Sequence, residues 1–159
     1  MNPTSFWKNA LIRVSRRTYK PTLVLPFATL LSACSGSPPD NLGIHKGHLA
    51  ACPASPNCVN SQASDAQHAI KPLPLQGSPE QTQARLKALI SNEPRARLVD
   101  EAPGYLRAEF SSKLMRFVDD VEFMIGATAV DVRSASRMGY ADFDVNRERI
   151  EQLRQRLSE

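Results

Sequence analysis

The part of this chain that can fold as a domain starts no earlier than Cys34. Leu31-Ser32-Ala33-Cys34 closes a stretch with the three zones of an export leader. Residues 1–22 carry Lys8, Arg13, Arg16, Arg17 and Lys20 and no acidic residue. Leu23 to Leu31 is apolar apart from Thr29 and is broken by Pro26, and small residues lead into the cysteine. Nine residues are too few for a membrane-crossing helix, which takes about 20. The tetrapeptide reads as the lipobox of a bacterial lipoprotein. A peptidase would cut before Cys34, and acyl chains, palmitate among them, would be attached to its sulfur and its new amino group. The alternative is an ordinary buried element followed by a chance cysteine. The expected address is the bacterial cell envelope. Ser35 stands where an aspartate would hold a proteobacterial lipoprotein in the inner membrane. In a Gram-negative cell its presence favours the outer membrane, facing the periplasm. Ser15-Arg16-Arg17 leaves twin-arginine export open beside general secretion.

Removal of residues 1–33 alters the charge argument. The whole chain has 20 basic and 16 acidic residues, and five of the basic ones lie in the leader, which leaves 15 against 16 and a net charge of −1. The basic patch expected of a nucleic-acid binder therefore loses its first support, and no nucleic-acid partner is expected. What remains suits one domain with a modest core. The organisation expected is a signal peptide over 1–33, the lipidated cysteine and a flexible tether over 34–51, and a single α+β domain over 52–158. In the tether, Gly43 and Gly47 recur without a sustained apolar period. Fully extended, its 17 residues after Cys34 would reach at most ~60 Å. His45 and His48 are three apart, but no acidic or cysteine partner at matching spacing makes them a metal site.

Once Cys34 is acylated, Cys52 and Cys58 are an even pair in an oxidising compartment, where a disulfide is favoured. The prolines and asparagine of Cys52-Pro53-Ala54-Ser55-Pro56-Asn57-Cys58 are turn formers that bring the ends together. Such a bond would be worth ~2.4 kcal/mol in the chain-entropy account. A zinc site, a redox pair and free thiols are the other readings. The zinc and redox readings fit the spacing less well.

Three motifs carry a resemblance. Cys52 to Val59, Phe117-Val118-Asp119-Asp120-Val121-Glu122-Phe123, and Arg133-Ser134-Ala135-Ser136-Arg137-Met138-Gly139-Tyr140-Ala141-Asp142-Phe143 through Asn146 and Arg149 resemble the domain of unknown function 1499 family. The resemblance covers roughly residues 49–158. It implies an exported or membrane-attached protein and no established activity. Asp144 stands where the family pattern has glycine. If that glycine supplied a positive φ, aspartate is among the few residues that tolerate one; otherwise Asp144 caps the last helix.

The secondary structure can be read without the family. Ala69 to Leu75 is extended by its prolines and suits an edge strand. Ser78-Pro79-Glu80-Gln81 combines an N-cap serine, proline at the first helical position and glutamine for a capping box. Leu86, Leu89 and Ile90 supply that helix's apolar stripe, and Pro94 ends it. Strands are expected at 96–100, 104–111, 114–125 and 128–134. A final helix is expected at 145–158 with Ile150, Leu153 and Leu157 inward and Arg147, Glu148, Arg149, Glu151 and Arg154 on a solvated face. The fold class is then α+β, with an antiparallel sheet of about four to five strands, two packed helices and the order β-α-β-β-β-β-α. In the strand at 114–125, Met115, Phe117, Val121, Phe123 and Ile125 share one face. Asp119 falls on that face too, so it either bulges outward or is buried against a cation.

The candidate site gathers Asp119, Asp120, Glu122, Arg133, Ser134, Ser136, Arg137, Asp142, Asn146 and Arg149. Arginines and serine hydroxyls before a helix N-terminus suit a small anionic ligand. The same residues also make an ion-pair network that locks strand, loop and helix together. No serine–histidine–aspartate order, phosphate loop or metal-spaced cluster is present, so no catalytic residue, metal or cofactor is assigned. Asp119 and Asp120 are adjacent, but adjacent strand residues point to opposite faces. The expected function is a membrane-anchored binding module, held by its lipid and recognising an envelope protein or small ligand. The alternative is an envelope hydrolase or transferase using the Asp/Arg cluster.

Overall fold

The computed structural model describes residues 36–159; the leader and Cys34 lie outside them. Six strands and two helices follow in the order β1 (Cys58–Asn60), β2 (Leu73–Pro74), α1 (Pro79–Ser91), β3 (Ala96–Ala102), β4 (Tyr105–Ser111), β5 (Val118–Ile125), β6 (Ala129–Ser136) and α2 (Val145–Leu157). The α+β class and the order of the longer elements match expectation. The sheet is antiparallel throughout, in the order β1-β6-β5-β4-β3, with β2 paired to the start of β6. The strand absent from the sequence reading is β1. Three residues give no alternation to detect, and this strand exists through its pairing with Arg133, Ser134 and Ala135.

Helix α1 starts as its sequence dictates. Ser78 accepts from the Gln81 N–H, the Gln81 side chain accepts from the Ser78 N–H, and Pro79 occupies the first turn. Leu86 and Ile90 from α1 meet Ile150, Leu153 and Leu157 from α2 over Leu106, Val121, Phe123, Val130 and Val132 of the sheet. Each such side chain contributes about 1.5–3 kcal/mol by leaving water. Both helices thus cover one face of the sheet.

Two expectations need correction. Strand β5 begins at Val118, not 114. Residues 112–117 form a closed loop: the Ser112 N–H donates to the Phe117 carbonyl at 2.8 Å, and the Phe117 N–H donates to Ser112 Oγ at 3.0 Å. Arg116 takes φ 55° inside this turn, which a strand residue does not. Met115 and Phe117 are therefore exposed loop residues and not part of a buried face.

Part of the expected tether lies on the domain. Leu49 is buried, its N–H donates to Gln62 Oε1 at 2.9 Å, and the Gly43 N–H donates to Glu122 Oε1 at 2.7 Å. His45 and His48 exchange backbone hydrogen bonds across a tight turn with Lys46 at φ 52° and Gly47 at φ 81°. Their spacing serves that turn. The ~60 Å reach of a free chain does not apply to a segment held in this way.

Candidate functional site

The ten candidate residues do not form one cluster, because the sheet divides them. Successive β5 side chains alternate between its faces. Asp119 points to the helix side with Val121, Phe123 and Ile125, while Asp120 and Glu122 point to the other.

On the helix side the organiser is Asn146, in the first turn of α2 and wholly buried. Its amide donates to the Asn57 carbonyl (3.1 Å), Ser136 Oγ (3.0 Å) and Asp142 Oδ2 (2.7 Å). Its oxygen accepts from the Ser134 hydroxyl and from Arg149 Nη1 at 2.7 Å. Arg149 also donates to Ser134 Oγ at 3.1 Å and pairs with Asp119 Oδ2 at 2.6 Å, while its guanidinium lies 4.8 Å from the centre of the Phe110 ring. Asp119 is thus buried against a cation, without a bulge. The expected solvated face of α2 also changes: Arg149 turns inward, and Arg147 and Arg154 donate to the carbonyls of Gln67, Ala69, Lys71 and Pro72.

The start of α2 explains the family glycine. Asp144 has φ 64° and its side chain makes no capping bond. The left-handed backbone is what the position requires, and aspartate tolerates it. Capping falls to Asp142, whose oxygens accept from the N–H groups of Asp144 and Asn146.

On the opposite face the residues are paired ions. Arg133 Nη1 lies 3.3 Å from Glu122 Oε2, and the Tyr105 hydroxyl donates to Glu122 Oε1 at 2.9 Å. With the Gly43 N–H, Glu122 is fully engaged in a fully buried setting. Burial, and then the charge of Glu122, pushes the Tyr105 phenol well above its ordinary value. Arg137 forks onto both oxygens of Asp120, at 2.7 and 2.8 Å, and reaches Glu109 Oε1. Its hydrogen bonds to Asp120 outweigh burial and hold the guanidinium above its ordinary value. Glu109 sits among Arg97, Arg107 and Arg137. Burial would raise Glu109, but its hydrogen bonds from Arg97 and Arg137 prevail and hold the carboxyl below its ordinary value.

Cys52 and Cys58 are joined in a disulfide, with their Cα atoms 5.7 Å apart. The loop it closes presents Asn57, whose side-chain amide donates to the carbonyls of Gly139 (2.7 Å) and Ser136 (3.4 Å). Asn57 therefore ties the disulfide loop to the loop before α2. Its identity was legible as a turn former but its partners were not.

Beside Asp119, Ser136 and Asp142 lies a cavity of about 410 Å³, walled by the 112–117 loop and by residues 138–145. Arg133 takes no part in it. Leu114, Met115, Phe117, Met138, Tyr140, Phe143 and Val145 are exposed on these two segments, Phe143 at 90 %. Among the described residues, one further large apolar side chain, Ile44, is comparably exposed. A second hollow of about 330 Å³, beside Cys52, His48 and Gln62, has none of these residues in its wall. Sequence reasoning missed the apolar rim. A signal was available in Leu114-Met115, set between Lys113 and Arg116, and in Met138-Gly139-Tyr140, set around a glycine.

These features define a small antiparallel α+β protein with buried ion pairs on one sheet face and an apolar, acid-floored cavity at the end of the other. The family model described as protein of unknown function (DUF1499) matches residues 48–157, and the chain belongs to that family. No curated protein and no solved structure matches it.

Proposed function

We propose that the protein is a lipid-anchored lipoprotein of the bacterial envelope whose domain is a non-catalytic binding module. It takes an apolar ligand or partner in the cavity between the 112–117 and 138–145 loops. The observation that carries this reading is the concentration of exposed apolar side chains around one cavity whose polar floor is already hydrogen-bonded. The hydrolase or transferase alternative needs a carboxylate free to work. Asp119, Asp120 and Glu122 are each committed to an arginine. Arg133 and Arg137 are likewise committed to carboxylates and buried, which turns the reading away from a small anion held by these two residues. Lipidation at Cys34 and an outer-membrane address in a Gram-negative cell belong to the same proposal and rest on the leader and Ser35.

The test is native mass spectrometry of protein extracted from its own membranes. Wild type should carry a non-covalent apolar molecule or partner that Met138→Asp, in the cavity wall, loses by at least tenfold. A wild-type domain bare of ligand, partner and phospholipid alike, or equal retention by the variant, would overturn the binding reading. A mature chain starting at an unacylated residue would overturn the anchor.

A further inference from the structure

The first described residue, Gly36, lies beside one of the two apolar loops. Gly36 packs against the loop that leads to α2: a Cβ on Gly36 would stand 3.1 Å from the Cβ of Arg137 and 3.3 Å from Cγ of Met138. The Gly36 carbonyl accepts from Arg137 Nη1 at 3.4 Å. Met138 is part of the cavity wall. One residue, Ser35, separates Gly36 from Cys34, so the Cα atoms of positions 34 and 36 can be no more than ~7 Å apart. Acyl chains on Cys34 would therefore enter a bilayer on the side of the domain where Met138 borders the cavity.

We infer that these two loops dock into the surface of the phospholipid bilayer that carries the anchor, so that the domain stands in one fixed orientation. The inference rests on the lipoprotein reading above and deepens it: the partner of the apolar rim is the lipid surface itself. Covalent geometry selects this occupant over a second copy of the chain, because an anchor at this edge brings the patch to the membrane without further steering. Charge fits as well. Lys113 and Arg116 are exposed on either side of Leu114 and Met115, where they would meet anionic headgroups while the apolar tips sit below them. Of the nearby acids, Asp142 is already accepting from the N–H groups of Asp144 and Asn146, and Asp144 is exposed as the opposing charge.

The test uses full-length protein, processed and lipidated in its host, in vesicles of phosphatidylethanolamine and phosphatidylglycerol. The single tryptophan of the sequence is Trp7, in the leader, so a mature chain has none. One reporter at a time is introduced as Leu114→Trp, Phe143→Trp or, as a control on an exposed position of α1, Arg85→Trp. Vesicles containing brominated lipid should quench the first two at least threefold more than the third. Equal quenching of all three on an acylated chain would overturn the docking while leaving the anchor intact. An intact mass on the same sample shows whether Cys34 is acylated, and an unacylated chain would overturn the anchor and the docking with it.

Discussion

The two faces of the β5–β6 pair hold their polar groups by different means. On the face away from the helices, full charges oppose one another: Glu122 against Arg133, and Asp120 and Glu109 against Arg137. On the helix face a neutral amide, Asn146, gathers two serines, an aspartate and an arginine. The difference follows from what each face must do. The charged face is closed by the chain's own N-terminal segment through Gly43, so every charge needs a partner before water leaves. The amide network borders an open cavity, and the ion pair on this face, Asp119 with Arg149, is joined to the amide through Arg149. The first arrangement is a lock. The second shapes a wall.

Substitutions can break this contrast in order of expected size. Glu122→Ala leaves Arg133 charged, buried and unpaired, and should cost about 3–5 kcal/mol in chemical denaturation. Asn146→Ala leaves the Ser134 hydroxyl without its acceptor and removes one partner each from Arg149, Asp142 and the Asn57 carbonyl. It should cost about 2–3 kcal/mol by the same measurement and also weaken ligand retention. If the two variants lose equal stability and Asn146→Ala keeps its ligand, the distinction between lock and wall fails.

A smaller effect should appear with acid. Glu109 has its folded pKa lowered, so its contribution is complete above the ordinary value near 4.5 and is lost as pH falls through the lower folded value. Denaturation between pH 6 and 3 should therefore show an acid loss of stability that Glu109→Gln reduces. The smallest stability effect is expected from Phe143→Ser on the exposed rim, within about 0.5 kcal/mol. A larger loss would mean that the rim belongs to the core and is not a binding surface.

Much of this was legible locally. The capping box of α1, the inward stripe of α2, and the alternation of Val130, Asp131, Val132 and Arg133 are each decided by residues within a few positions of one another. Of the two readings open for Asp144, a left-handed backbone and a helix cap, the structure has the first. The family motifs held all ten candidate residues, but not Tyr105, Arg107 and Glu109, which pair with them. They did not separate the ten, because neighbours in a motif are close in sequence whichever face they point to.

The sequence by itself determined the longer elements, their order and the inventory of acids, arginines and cysteines, because backbone propensity and side-chain period act over a few residues. The tertiary structure alone decided which arginine answers which carboxylate. Those pairs cross between strands, as Glu122 does to Arg133, or between strand and helix, as Asp119 does to Arg149. It also decided that Met115 and Phe117 stay outside the core and share a cavity with Met138 and Phe143. Exposure depends on what the rest of the chain covers, and no local pattern records that.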